Sequence, residues 1–242
     1  IDIGQSFETT YEMFQGKDPR CLASIYVPGS SLLGSTMQFQ RGLILKDGSK
    51  YYAQSAPGPS YLLETYIDPE TQRKDTIFGK DGGTYTGDAS KTGFNIRKFV
   101  NENLKTEAQW DFGKTETSFP IFRLAEVYLN LAEAAVEMGK YQTEAFEAIK
   151  KIRDRAGVVT PFAVVDVEKV RHERQVELAF EGHRFWDMKR WRIAHLPVDQ
   201  GGLNGFRGAG LHPFFDLRIR KYVFEVANDL PKRQRVFTEK NY

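Results

Sequence analysis

Between Val167 and Arg192 the chain reads as one long helix that carries charge on the side it ought to bury. At about 100° per residue, Val167, Val170, Leu178, Phe185 and Met188 share a stripe roughly 80° wide. Arg174, Glu177, Glu181 and Arg184 fall on or beside that stripe. No other feature constrains the fold as strongly, because a charge buried without a partner costs several kcal/mol. Spacings of three and four predict pairs along the helix, Arg174 with Glu177 or Glu181 and Glu181 with Arg184. Asp166 suits the N-cap and Glu168 the positive end, while Lys189, Arg190 and Arg192 suit the negative end. Two nearby glutamates also invite a general acid–base reading of the kind glycoside hydrolysis needs. An arginine close to each lowers a carboxylate pKa and makes it a poor acid at neutral pH. The pattern therefore points to a structural ion-pair network of Arg174, Glu177, Glu181 and Arg184, with no catalytic residue.

Two more helices precede this one. From Phe122, the positions Leu124, Val127, Tyr128, Leu131, Ala135 and Met138 recur at three and four, with Pro120 in the first turn and Gly139 at the end. Ala145, Phe146, Ile149, Ile152 and Ala156 repeat the pattern up to Gly157. So short a connection predicts antiparallel neighbours. Gly139-Lys140-Tyr141 followed by Ala145 is similar to the hairpin of a tetratricopeptide unit. A solenoid needs about three such units, so this hairpin is expected to pack on something else.

The flanks differ. Residues 1–118 are punctuated by turn signals such as Asp18-Pro19, Pro28-Gly29, Asp47-Gly48, Pro57-Gly58-Pro59 and Asp68-Pro69. Between them lie short apolar pieces, Ala23–Val27, Leu43–Leu45 and Asn95–Phe99, read as short strands or extended loops. Residues 194–242 return to Gly-rich loops with one extended segment, Lys221–Val226. The expected fold is mainly α, with extensive irregular loops and a few short strands: a tetratricopeptide-like hairpin plus a loop-rich subdomain. Its divisions are 1–118, 119–193 and 194–242, together one domain.

Composition narrows the function. Charge is balanced, 34 basic against 32 acidic residues, which argues against a nucleic-acid binder. The single cysteine, Cys21, excludes an internal disulfide and a multi-cysteine zinc site. A polar turn precedes Cys21 where a lipid-anchor cysteine needs an apolar segment. The stretch Gly82–Thr92 invites a phosphate-loop reading, but Ser90 and Tyr85 stand where that loop needs glycine. His172, His183, His195 and His212 lack metal-ligand spacing, and Asp81 with Asp88 does not make a calcium loop. No metal and no cofactor is expected.

The string Glu173-Arg174-x-x-Glu177-Leu178-x-x-Glu181-Gly182-x-Arg184-x-x-Asp187-x-x-Arg190-Trp191 resembles a run typical of the SusD/RagB family, surface-exposed glycan-binding lipoproteins of the outer membrane. Upstream, Pro120-x-x-Arg123-x-Ala125-Glu126-Val127-x-Leu129-x-x-Ala132-Glu133-Ala134 resembles the family's P-x-x-R-x-A-E-V helix, and Arg153-x-Arg155-Ala156-Gly157 its R-x-R-A-G helix end. Gly16-Lys17-Asp18-Pro19-Arg20 is similar to the family's D-G-x-D-P-R opening, with Gln15 where an acidic residue is usual. The resemblance covers the C-terminal half of such proteins, and the chain is expected to be part of a longer one whose other half holds the lipid anchor and more helices.

The resemblance implies a non-enzymatic binder of oligosaccharide or polysaccharide at the cell surface. It also implies a TonB-dependent outer-membrane barrel as partner, and contact with the membrane only through the lipid anchor. Sugars present flat C–H faces that stack on aromatic rings. The candidate ligand-binding residues are therefore Tyr51, Tyr52, Tyr61, Tyr66 and Trp110, with Tyr85, all among Gly, Pro and Asp in the turn-rich part. Ordinary packing is the competing account of each ring. Trp186 and Trp191 read as core or interface. Two alternatives stay open: a docking module without its own ligand, and a binder of a non-glycan nutrient.

Overall fold

The computed structural model describes residues 4–51, 65–81, 90, 92–104, 117–197, 202 and 210–227. Tyr52, Tyr61, Tyr85 and Trp110 lie outside them. The first part of the chain contributes β1 (Ser6–Phe7), a 3-10 turn at Glu12–Phe14, α1 (Pro19–Ser24), β2 (Ile25–Tyr26), β3 (Ser31–Leu32), β4 (Ser35–Thr36), β5 (Gly42–Ile44), β6 (Lys50–Tyr51), β7 (Thr65–Ile67), β8 (Lys74–Thr76) and β9 (Asn95–Ile96). The helices α2 (Leu124–Glu137), α3 (Gln142–Arg155), α4 (Val167–Glu177) and α5 (His183–Arg190) follow, then β10 (Gly210–Asp216) and β11 (Lys221–Ala227).

Local chemistry explains the helix starts. Asp18 accepts from the Arg20 amide at 2.9 Å with Pro19 in the first turn of α1. Asp166 accepts from the Lys169 amide at 2.9 Å, the N-cap expected for α4. The α2–α3 hairpin forms as the periodicity predicts, turning at Gly139 (φ 63°) and Tyr141 (φ 59°). With α4 it buries Leu129, Ala132, Ala145, Ala148, Ile149, Ile152, Val165, Val170 and Leu178.

Three expectations are corrected. The third helix is two helices, broken where Phe180 (φ 67°) and Gly182 (φ 81°) take left-handed backbone. The reason is a contact: Arg174 Nε lies 2.7 Å from Asp187 Oδ2, thirteen residues on. In a straight helix thirteen residues span about 20 Å. The second correction is the buried face of α2. Leu124, Val127, Leu131 and Met138 are exposed, at 62%, 41%, 46% and 58%, while Ala125, Leu129, Ala132 and Ala135 are buried. The apolar surface of α2 is wider than one neighbour can cover, and the smaller residues take the close packing against α3. Trp186 is the third: of the core and interface readings, its 67% exposure excludes core.

The flanking segments meet in a five-stranded sheet of order β1-β11-β10-β5-β6, all antiparallel but for the parallel β5–β10 pair. The C-terminal part thus holds a hairpin of two seven-residue strands, where only one extended segment was expected. Pro213 disguises β10, since proline argues against a central strand. Its carbonyl accepts from the Arg41 amide at 2.9 Å, on the β5 side. The missing N–H lies on that side too, one residue ahead of the pairing of Phe214 with Gly42. Beneath the sheet Phe224 is fully buried with Met13, Phe14, Val27 and Leu211. A neighbouring cluster of Leu43, Ile77, Phe78 and Leu217 takes Tyr51 and Tyr66 at its edge.

Candidate functional site

Two clefts and one aromatic pair bear on function. The pair is Tyr51 and Tyr66, which the structure brings together with ring centroids 5.6 Å apart, both half-buried. Tyr51 ends β6 and Tyr66 is central in β7, so strand edges rather than free loops hold these rings.

The larger cleft has a volume of about 610 Å³. Three stretches far apart in sequence build it: Glu8–Tyr11, Thr36–Gln40 and Thr76–Gly79, with Tyr222 of β11 closing it. Residues 36–40 alternate, Met37 and Phe39 buried and Thr36 and Gln38 exposed. Backbone bonds hold this wall on both sides: Met37 N–H donates to Ser30 O at 2.7 Å and Gly79 N–H to Gln40 O at 3.0 Å. The Gln40 side-chain amide adds a bond to Thr76 O at 2.7 Å. Gly79 is required here, because a Cβ on it would stand 2.1 Å from Gln38 O. Burial pushes the Tyr222 phenol above its ordinary pKa, so the ring stays neutral and its hydroxyl can both donate and accept. The wall therefore offers hydroxyls, side-chain amides, one carboxylate and tyrosine rings, the groups that bind sugar hydroxyls and sugar faces. Phe78 lines this cleft and also packs in the cluster that holds Tyr51 and Tyr66, so the pair adjoins the cleft. Sequence reading missed Tyr11, Gln38, Gln40 and Tyr222. Alternation over 36–40 was the available signal, but it is short and does not say which segments it faces.

The second cleft, about 470 Å³, lies over the charged helix. The glutamates of this stripe are paired, but with cations from other elements. Glu177, with 1% of its side chain exposed, accepts from Arg123 Nη1 at 2.7 Å, Arg155 Nη2 at 2.5 Å and Arg20 Nη1 at 3.1 Å. Glu181 takes Arg123 in a two-pronged pair at 2.7 and 2.8 Å and Lys98 at 2.5 Å. Glu173 bridges Arg20 and Arg153 at 2.5 and 2.8 Å. Arg174 pairs with Asp187 and with Asn130 Oδ1, the latter at 2.7 Å. Arg184 lies against the Trp191 ring, 5.8 Å from its centroid. The network thus joins α1, the Lys98 loop, α2, the end of α3, and α4.

Burial pushes the Glu177 carboxyl up, but hydrogen bonds from Arg123 and Arg20 outweigh it and hold the pKa below the ordinary value of 4.5. Glu181 behaves likewise, burial being outweighed by Arg123 and Lys98. Both stay ionised at neutral pH, the opposite of what a general acid needs. A stability consequence follows. A carboxylate with a depressed folded-state pKa contributes stability in full above its unfolded value, and the contribution is lost as pH falls through the folded value. Melting temperature is therefore expected to be level through neutral pH and to fall once pH drops below 4.5. Scanning calorimetry from pH 3 to 8 checks this, and a melting temperature indifferent to acid contradicts it.

Among the described residues no group of His, Cys, Asp and Glu could hold a metal ion, and no helix is long and apolar enough to cross a membrane. The model of the SusD family matches residues 2–238. The chain belongs to the SusD family. A solved SusD-like carbohydrate binding protein from Bacteroides fragilis shares 29% identity and a TM-score of 0.51 over 77% of the chain and 31% of its own length. SusD-like protein P2 of Formosa agariphila is 31% identical over 101 residues, 37% of this chain and 20% of P2. SusD-like protein P25 of the same organism is 39% identical over 80 residues, 30% of this chain and 15% of P25. This SusD-family chain thus spans a third or less of each of these relatives. The motif positions Arg20, Arg123, Arg153 and Arg155 neutralise the buried Glu173 and Glu177 and, with Lys98, Glu181.

Proposed function

We propose that the chain is part of a non-catalytic, cell-surface oligosaccharide-binding protein that passes its ligand to a TonB-dependent outer-membrane barrel, with a lipid anchor on another part of the polypeptide. The observation that carries this reading is the cleft of about 610 Å³ walled by hydroxyls, amides and tyrosine rings in a chain of this family. Its volume falls in the range of small-molecule sites. Tyr51 and Tyr66, paired on neighbouring strand edges, supply further stacking faces beside it. Isothermal titration with neutral oligosaccharides tests the reading. Gln38→Ala should weaken binding about fivefold to tenfold, the value of one or two hydrogen bonds, and leave the melting temperature unchanged. The side chain of Gln38 is exposed, so its loss removes no core contact. Absence of binding to any oligosaccharide, or full affinity in Gln38→Ala, counts against the cleft.

A second reading is a docking module. It is favoured by the bare apolar face of α2, where Leu124, Leu131 and Met138 follow one another at seven-residue steps in the open. Exposed apolar surface of this kind marks contact with another protein surface. The same titration decides between them, because a pure docking module binds no sugar.

A further inference from the structure

We propose that the second cleft selects acidic sugars, with the carboxylate or sulfate of a glycan unit seated against Arg155; this rests on the oligosaccharide-binding reading above. Arg20, Lys98, Arg123 and Arg155 line the cleft against two carboxylates, Glu177 and Glu181. Adding the charged groups that partner them, Asp18, Glu173 and Arg153, still leaves one positive charge in excess. Both carboxylates have 1% of their side chains exposed, so the cleft shows its cations and hides its anions. Arg155 differs from the other three cations. Its side chain is 62% exposed, and one terminal nitrogen goes to Glu177. A guanidinium carries five N–H donors in a planar fork that matches a carboxylate or sulfate. Arg155 is therefore held in place by Glu177 while most of its donors remain available. Hydroxyls of Ser24 and Ser118 lie in the same wall, and Phe99 and Pro120 give a sugar ring an apolar surface.

The position of the cleft favours retention of an anion. The surrounding charges are fixed by mutual pairing across five chain segments, so little side-chain ordering is needed when the ligand arrives. A neutral sugar can accept single hydrogen bonds from these cations but gains no two-pronged ion pair with Arg155, which an acidic sugar gains.

Titration of the purified protein with glucuronate-containing, sulfated and neutral oligosaccharides of equal length tests the proposal. The acidic ligands should bind about tenfold tighter than the neutral one, as one charge-assisted contact provides. That preference should shrink as salt rises. Arg155→Gln should abolish the preference and leave neutral binding unchanged. Arg155→Lys should keep part of it, having the charge without the fork. Equal affinity for acidic and neutral ligands in the wild type overturns the proposal, as does a preference that survives Arg155→Gln. Inorganic sulfate binding as tightly as the sulfated oligosaccharide would also overturn it, since the cleft would then read charge and no sugar. Binding of neither class overturns the oligosaccharide reading itself, so the two failures are distinguishable.

Discussion

Glu177→Ala is expected to lower the unfolding free energy by about 3–5 kcal/mol, the cost of breaking a buried ion pair by removing one partner. At about 2–4 °C per kcal/mol for a chain of this size, the melting temperature should fall by roughly 10 °C. The size of the effect comes from what remains. Arg20, Arg123 and Arg155 all converge on this carboxylate, and Arg20 and Arg123 keep only 10% and 26% of their side chains in water. Without Glu177 their charges face one another with little solvent to screen them. Glu177 also sits where α1, α2, α3 and α4 meet, so the loss should spread to the packing of α1 against the helical part. Denaturant unfolding of the wild type and variant measures the difference. A change below about 1 kcal/mol, the worth of a surface pair, would show that the network contributes no more than an exposed one. Arg155→Gln, on the exposed rim of the same network, should cost no more than that surface value.

Phe224→Ala should cost about 3–5 kcal/mol, through lost transfer energy and the cavity left behind. The ring is fully buried and meets Phe14 and Phe7 edge-on, at centroid distances of 5.8 and 5.9 Å. Such pairs add to simple area burial. Phe7 belongs to β1, which pairs with β11 by only two residues, Ser6 with Val223 and Phe7 with Tyr222. Removing the Phe224 ring takes away the contact that holds so short a strand. Hydrogen exchange should therefore show lost protection at Ser6 and Phe7 beyond the global change. Unaltered exchange there, with a small change in stability, would mean the hydrogen bonds alone hold β1.

The sequence made parts of this molecule legible. Asp166 announced the start of α4, and Gly139 and Gly157 the ends of α2 and α3, because caps and stops depend on residues within one turn. The charged stripe announced that glutamates and arginines would be buried together. The pairing within that stripe was not legible, since Glu177 is 157 positions from Arg20 and 54 from Arg123. Nor was the break at Phe180, because a helical pattern continues through it and only the Arg174–Asp187 contact shows why the chain turns. On α2 the periodicity was real and Ala135 lies in the core as read, but Leu124, Val127 and Leu131 face outward while Leu129 and Ala132 take the inner side. The larger cleft was hidden for a topological reason: Thr10, Gln38, Thr76 and Tyr222 become neighbours only when the sheet forms.

The sequence by itself determined the helical hairpin, its glycine stops, the family membership carried by its motifs, and the presence of buried charge that had to be neutralised. These follow from spacing, which acts over a few residues. The tertiary structure alone decided which cation meets which carboxylate, which face of α2 stays bare, and which three stretches wall the cleft. Coulomb attraction and packing act through space over a few ångströms, and folding sets those distances between residues that sequence keeps far apart.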